Sequence, residues 1–278
     1  MGGNEPMVSA AELQKQANAN RRAIVDMIHT ANAGHPGGSL SVIDVLTAIY
    51  ATDVDFSQKP RSRVILSKGH AVPAQYAVLH SYGILSDDEM KTLRRMDSRL
   101  QGHPCSHRLP QVDATTGLLG QGLSLGIGMA IAKRDTGDPN RVYVICGDGE
   151  VNEGQIWEAA EQAAHYALGN LICVVDQNGL SSSGITKEVM NNRNLQEKFT
   201  AFGWQAETID GHDMQQILDA LERARAWGKG PYAIIANTVK GKGVSYMENN
   251  VAYHSSGIAG ELYDQAIRDL EKLEKEEG

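Results

Sequence analysis

Cysteine is scarce in this 278-residue sequence: Cys105, Cys146 and Cys173 are the only ones, and they form no close pair that would suggest a disulfide framework or a ligand motif. Cys146 and Cys173 fall in apolar runs that read as buried strands, so reduced core thiols are the expectation. Basic excess is absent as well. With 26 Lys and Arg against 34 Asp and Glu, the formal net charge is −8. That balance excludes a broad nucleic-acid footprint but leaves room for a local basic pocket around a phosphate. No apolar stretch approaches the length of a membrane span, and the start MGGNEPMVSAAELQKQ lacks a signal-peptide apolar region. The Met-Gly start also misses the myristoylation pattern, because Pro6 stands where Ser or Thr is wanted. The expected compartment is cytoplasmic, with neither nucleic acid nor membrane as partner. There is no low-complexity tract, fixed-period repeat or dividing linker, and 41% apolar with 22% charged residues is ordinary globular composition.

What is present reads as alternating strands and helices. Leu13, Ala17, Ile24, Met27 and Ile28 recur near a 3.6-residue period, predicting a helix from about Ser9 to Thr30 that AGHPGGS interrupts. A second apolar helix follows over Leu40 to Tyr50. RVILS from Arg63 reads as a buried strand running into KGHAVPAQ and a helix, and Ser86 to Arg95 as a capped surface helix. RVYVIC, EGQIWEAAEQAAHYA and LICVVD then give strand, helix and strand, the pattern of a parallel pair with a right-handed crossover. GWQAETI, MQQILDALERARAW and YAIIANTV repeat it, and an amphipathic helix from Gly260 closes the chain. The expected fold is α/β: one parallel sheet with helices on both faces, residues 1–278 forming a single domain. In such sheets ligands bind at the carboxyl ends of the strands.

Gly147-Asp148-Gly149 follows the strand ending at Cys146, and Asp176-Gln177-Asn178-Gly179 follows the next strand, placing Asp148 and Asn178 30 residues apart. One βαβ unit brings both to the same sheet edge. A carboxylate and an amide oxygen there can hold a hard cation such as Mg²⁺ or Ca²⁺, with positions left for diphosphate oxygens and a backbone carbonyl. The glycines let phosphate approach backbone N–H groups at a helix start. GDG alone is also an ordinary strand-to-helix turn. A dinucleotide site is the competing reading, but the first βα turn is not G-x-G-x-x-G. A zinc site built from the histidines is another; none shows close i, i+3 or i+4 spacing, and no cysteine stands nearby in a ligand pattern.

GDG followed one βαβ unit later by Asn resembles the thiamine-diphosphate motif, and the chain as a whole resembles transketolase. AGHPGGSLS, LSKGHA, QGHP, TTGLLGQGLSLGIGMA and GDGEVNEG all look like transketolase segments, in the same order. The resemblance implies a thiamine-diphosphate-binding fold. It makes Asp148, Asn178 and the Leu180 carbonyl the metal ligands, for Mg²⁺ or else Ca²⁺ or Mn²⁺. Asp148 and Asn178 also count among the cofactor contacts, Gly149 and His70 stand near the diphosphate, and Gly117 and Leu119 touch the cofactor's rings. His35, His103 and His254 face the substrate, and Glu153 matches an acidic residue that communicates with the cofactor site across a dimer. His29, His80, His107, His165 and His212 have no such match and read as structural or surface residues.

Two positions depart from the family pattern. Ser182 replaces a bulky apolar residue that packs near the thiazolium, and Ser255 replaces the Gly that usually follows the last histidine. The resemblance also ends at KLEKEEG, after the first domain of an enzyme more than twice as long. It implies a separately encoded C-terminal subunit that supplies the pyrimidine-binding domain, in a heterotetramer with two chains of each type. The implied activity is two-carbon ketol transfer from a ketose to an aldose, each with or without a phosphate. Related half-sites in deoxyxylulose-phosphate synthases, 2-oxo acid dehydrogenases and split enzymes for unusual sugars remain alternatives, as does a noncatalytic cofactor-binding subunit.

Overall fold

A computed structural model describes residues 9–277; the readings made on the Met1–Pro6 start lie outside them. Among the described residues five strands form one sheet: β1 (Arg63–Leu66), β2 (Val142–Gly147), β3 (Leu171–Gln177), β4 (Gln205–Asp210) and β5 (Tyr232–Asn237). All pairings are parallel and the order is β1-β2-β3-β5-β4. Gly147 is in register with Asp176 and Gln177 with Asn237, so the segments after β2, β3 and β5 leave the sheet at one edge.

The period-2 alternation of strand side chains divides the core in two. Val64, Leu66, Tyr143, Ile145, Ile172, Val174 and Ile234 face α1 (Ala10–Ala31), α2 (Pro36–Asp53), α3 (Val72–Ser81) and α9 (Met214–Trp227), together with α10 (Glu261–Glu277). Ile65, Val142, Val144, Cys146, Leu171, Cys173, Val175 and Ile235 face α5 (Gln121–Asp135), α6 (Gly154–His165) and Phe199 of α8 (Leu195–Ala201). The central strands are apolar on both faces because both are covered, as expected of a doubly covered parallel sheet. Cys146 and Cys173 are both buried free thiols. Among the described residues no helix is long and apolar enough to cross a membrane.

Three local outcomes differ from the sequence reading. The second helix starts at Pro36 rather than Leu40, because proline suits the first turn and Gly37 after it fits a crowded position, where a Cβ would lie 2.8 Å from the Tyr253 carbonyl oxygen. The helix expected over Ser86 to Arg95 forms its capping box at Ser86 but only one turn, α4 (Asp87–Met90), before the chain turns through Arg94 at φ 63°. The third is α5, which its glycines hide from propensity and which close packing requires. A Cβ on Gly126 would lie 2.4 Å from Val144 Cγ2, and one on Gly122 2.3 Å from Ser67 Oγ. The short helix α7 (Thr186–Val189) and α8 lie in a stretch that carries no periodic apolar signal.

Candidate active site

A cavity of roughly 170 Å³ opens at the carboxyl edge of the sheet. Lys68 and His70 enter it after β1, Gly147 to Glu150 at the end of β2, Asn178 and Leu180 to Ser182 after β3, and Lys240 after β5; Gly38, Leu119 and His254 complete the wall. Ligand pockets that enclose a cofactor-sized molecule run from about 300 Å³ upward. At roughly 170 Å³ this cavity is smaller than that.

Asp148 is buried at 3% exposure, and its carboxylate accepts from the N–H groups of Gly149 (2.9 Å) and Gly179 (2.9 Å) and from Thr186 Oγ1 (3.0 Å). Among the described residues no ammonium or guanidinium lies within ion-pair distance of it. Burial, then the Asp176 charge, push its pKa up. A buried carboxylate without a cation is costly, and a divalent cation is the natural compensation. Asn178 gives its Nδ2 to Asp176 Oδ2 at 2.8 Å, which leaves the amide oxygen as an acceptor; in this structure it takes the Leu180 N–H at 3.2 Å. The Leu180 carbonyl accepts from Lys240 Nζ at 2.8 Å. One carboxylate, one amide oxygen and one backbone carbonyl on the same cavity suit a hard oxygen-seeking cation. Among the described residues no group of three or more His, Cys, Asp or Glu is placed to hold a metal ion, and a set of this mixed kind does not need one.

The four histidines, from four different segments, converge. The His35 ring lies 5.2 Å from His70, 5.6 Å from His254 and 6.3 Å from His103, and His70 lies 5.0 Å from His254. Burial, helped by neighbouring cations, lowers the pKa of His35 and of His254 to about 4 and takes His70 well below the usual imidazole range; His103 is lowered too. The cluster is therefore neutral at pH 7, able to donate or accept protons without repelling itself. His35 Nδ1 is buried with no partner.

The remaining sequence candidates sit at the rim. Gly117, at φ 149°, lies under His103: a Cβ there would be 3.2 Å from the imidazole Cδ2. Leu119 and Gly149 line the cavity. Glu153 does not reach it; exposed before the first turn of α6, it packs beneath Gly120, where a Cβ would lie 2.9 Å from its own. Ser182 lines the cavity, and His254 ends a short turn with its Nδ1 2.8 Å from Lys240 Nζ, Ser255 capping that turn.

Sequence reasoning missed the polar floor. Asp176 accepts from Lys68, Ser41, Asn178 and Thr238, tying β1, α2, β3 and β5 together. Burial alone would raise its pKa, but the Lys68 ammonium and these hydrogen bonds hold it below the usual carboxylate value. Burial, reinforced by the Lys68 charge, brings Lys240 down to about 8. Glu150 accepts from Ser67 and from the N–H groups of Gly120 (3.0 Å) and Gly147 (3.0 Å), fixing the start of α5 against β2. Lys68 stands inside the LSKGHA segment, and Lys240 follows a strand end where the binding rule for parallel sheets points. Their lysine identity alone carried no signal. The unassigned His212 bonds Asp44 at 2.7 Å and His29 stacks on Tyr263, both away from the cavity.

Fold and cavity define an α/β protein built to seat an anionic cofactor at the carboxyl edge of a parallel sheet. A family model described as the thiamine diphosphate binding domain of transketolase matches residues 13–271, and the chain belongs to that family. It is 40% identical over 273 residues to one of the subunits of an apulose-4-phosphate transketolase from Phocaeicola vulgatus, covering 95% of this chain and 97% of that relative. It is 41% identical over 267 residues to a 6-deoxy-6-sulfo-D-fructose transketolase subunit from a Clostridium species, covering 94% and 97%. The solved transketolase of Campylobacter jejuni superposes with a TM-score of 0.87 at 33% identity, covering 95% of this chain but 42% of that one. The chain thus spans less than half the length of the single-chain enzyme and nearly the whole length of relatives named as subunits.

Proposed function

We propose that this chain is the thiamine-diphosphate-binding subunit of a two-chain transketolase that moves a two-carbon ketol unit from a ketose to an aldose. The observation that carries the reading is the buried, cation-free carboxylate of Asp148 beside the Asn178 amide oxygen and the Leu180 carbonyl, in a cavity too small for a whole cofactor. Asp148, Asn178 and Leu180 hold Mg²⁺ in this reading, with Ca²⁺ or Mn²⁺ as substitutes. Gly149, His70 and the α2 start at Gly38 receive the diphosphate, and Gly117 and Leu119 meet the rings. Lys240 then exchanges its bond to the Leu180 carbonyl for the new anionic charge. Bound thiamine diphosphate supplies the stabilised carbanion that C–C cleavage requires. Neutral His35, His103 and His254 hydrogen-bond the sugar's carbonyl and hydroxyls and shuttle its protons.

Residues 1–278 serve as a single domain in this reading, in the cytoplasm, and a separately encoded C-terminal chain brings the pyrimidine-binding domain. Glu153, exposed and outside the cavity, faces that assembly, for which two chains of each kind are the symmetric arrangement. The names of the two subunit relatives favour a substrate outside the common pentose phosphates, and both describe a sugar bearing an anionic group. A noncatalytic role would not require a complete metal donor set and four converging histidines.

The test is to purify the chain alone and with a candidate C-terminal subunit, then measure thiamine diphosphate and Mg²⁺ binding by calorimetry and ketol transfer by product analysis. Transfer in the mixture, absent from either chain alone, and loss of metal-dependent cofactor binding in Asp148→Ala are expected. Cofactor binding that ignores Asp148→Ala would overturn the site.

A further inference from the structure

The Lys240 ammonium meets the Leu180 carbonyl at 2.8 Å and His254 Nδ1 at 2.8 Å, at the tip of a flexible stem that starts beyond the end of β5. Ladder bonds stop with the strand, so other groups must fix where that stem begins. Thr238 Oγ1 bonds Asp176, the Thr238 N–H donates to the Gln177 carbonyl at 3.2 Å, and the Gly241 N–H donates to the Gly37 carbonyl at 3.0 Å. Between them the Val239 N–H donates to a side chain, His212 Nε2, at 2.8 Å. His212 stands in the turn after β4, which Gly211 allows to lie against the end of β5: a Cβ on Gly211 would be 2.5 Å from Thr238 Cγ2.

The other ring nitrogen is engaged as well. His212 Nδ1 lies 2.7 Å from Asp44 Oδ2, and Asp44, fully buried on α2, is paired with Arg21 of α1. Burial alone would raise the Asp44 pKa, but the Arg21 charge and the His212 bond hold it below the usual carboxylate value. An ionised carboxylate can only accept, so Nδ1 carries the proton; a backbone N–H can only donate, so Nε2 is bare. His212 is therefore the neutral Nδ1–H tautomer, and its ring cannot turn without breaking both bonds. Asp44 belongs to the helix whose first turn lines the cavity at Gly38. Lys240 crosses that same turn, since a Cβ on Gly37 would be 2.9 Å from Lys240 Cγ. The chain Arg21, Asp44, His212, Val239 thus joins α2 to the Lys240 segment from behind the cavity wall.

We propose that His212 is a positioning residue: locked by Asp44 as the Nδ1–H tautomer, it holds the Val239 amide and thereby sets where the Lys240 ammonium stands in the cavity. This rests on the cofactor reading above and adds to it the group that aims the lysine. The experiment measures thiamine diphosphate affinity of the reconstituted two-chain protein by calorimetry, with Mg²⁺ present. His212→Asn keeps an amide donor for Asp44 but is too short for Val239, and is expected to raise Kd about tenfold or more, as a misplaced charged group implies. His212→Gln, whose amide oxygen reaches the Val239 N–H, recovers most of the loss. In a Lys240→Met background His212→Asn changes Kd by less than about twofold, because residues that act through one another are not additive. A merely structural role raises Kd by the same factor in both backgrounds; that outcome, or an unchanged Kd in His212→Asn, overturns the proposal while leaving the cofactor reading intact. Nitrogen NMR of the wild-type chain gives a readout free of any substitution. A protonated Nδ1 and a bare Nε2 at His212 are expected, and the opposite tautomer overturns the proposal. A wild-type pair that binds no thiamine diphosphate sinks the cofactor reading and this inference together.

Discussion

Asp148 and Asp176 stand on neighbouring strand ends with opposite surroundings: Asp176 is paired with Lys68 and accepts four bonds, whereas Asp148 has only neutral donors. Removing one partner of a buried pair leaves an uncompensated charge, so Lys68→Met is expected to destabilise the chain by about 3–5 kcal/mol in urea unfolding. A loss below about 1 kcal/mol would mean that Ser41, Thr238 and Asn178 suffice for Asp176. The histidines make a second residue-scale prediction. His35 and His254 titrate near 4 in the fold, against about 6.5 in an unfolded chain. As pH falls from 6.5 towards 4 the unfolded state takes up protons that the fold refuses, so stability that is complete above pH 6.5 is lost through this window. Calorimetric unfolding midpoints should fall from pH 7 to pH 4, and less steeply in a His35→Gln, His254→Gln double variant. An unchanged slope in that variant would refute the assignment.

At the scale of elements, α5 shows why glycine-rich segments form helices where propensity argues against them. Its glycines differ in purpose. Gly122 lies against Ser67 and Gly126 against Val144, while Gly128 has nothing within 4 Å of its absent Cβ. Gly122→Ala is expected to cost about 1–3 kcal/mol by overpacking, and Gly128→Ala to stabilise the chain by about 0.5–1 kcal/mol through helix propensity. Equal effects in denaturant titrations would show that α5 does not seat on the sheet as closely as described. The truncated α4 follows the opposite logic: a well-formed capping box starts the helix, and the loop bonds through Ser98 and Leu100 end it after one turn.

At the scale of the molecule, the cavity of roughly 170 Å³ calls for a second wall. Leu118, next to the cavity-lining Leu119, is 76% exposed, an unfavourable place for a large apolar side chain in an isolated chain. Leu118→Asp should leave this chain's own unfolding curve nearly unchanged and weaken its association with the C-terminal partner about tenfold or more in sedimentation or calorimetry. Unaltered association would place the partner elsewhere.

The sequence by itself determined the order of the strands and of the periodic helices, the parallel sheet and the convergence of GDG with the asparagine that follows β3, because local periodicity and the parallel-sheet rule need no knowledge of distant contacts. It placed the histidines in a site only through their ordered resemblance to one family. The Lys68–Asp176 floor, the Lys240 bond to the Leu180 carbonyl and the helical state of α5 were decided by tertiary structure. Each depends on which groups from remote segments share a buried volume, and neither a residue's identity nor its spacing encodes that.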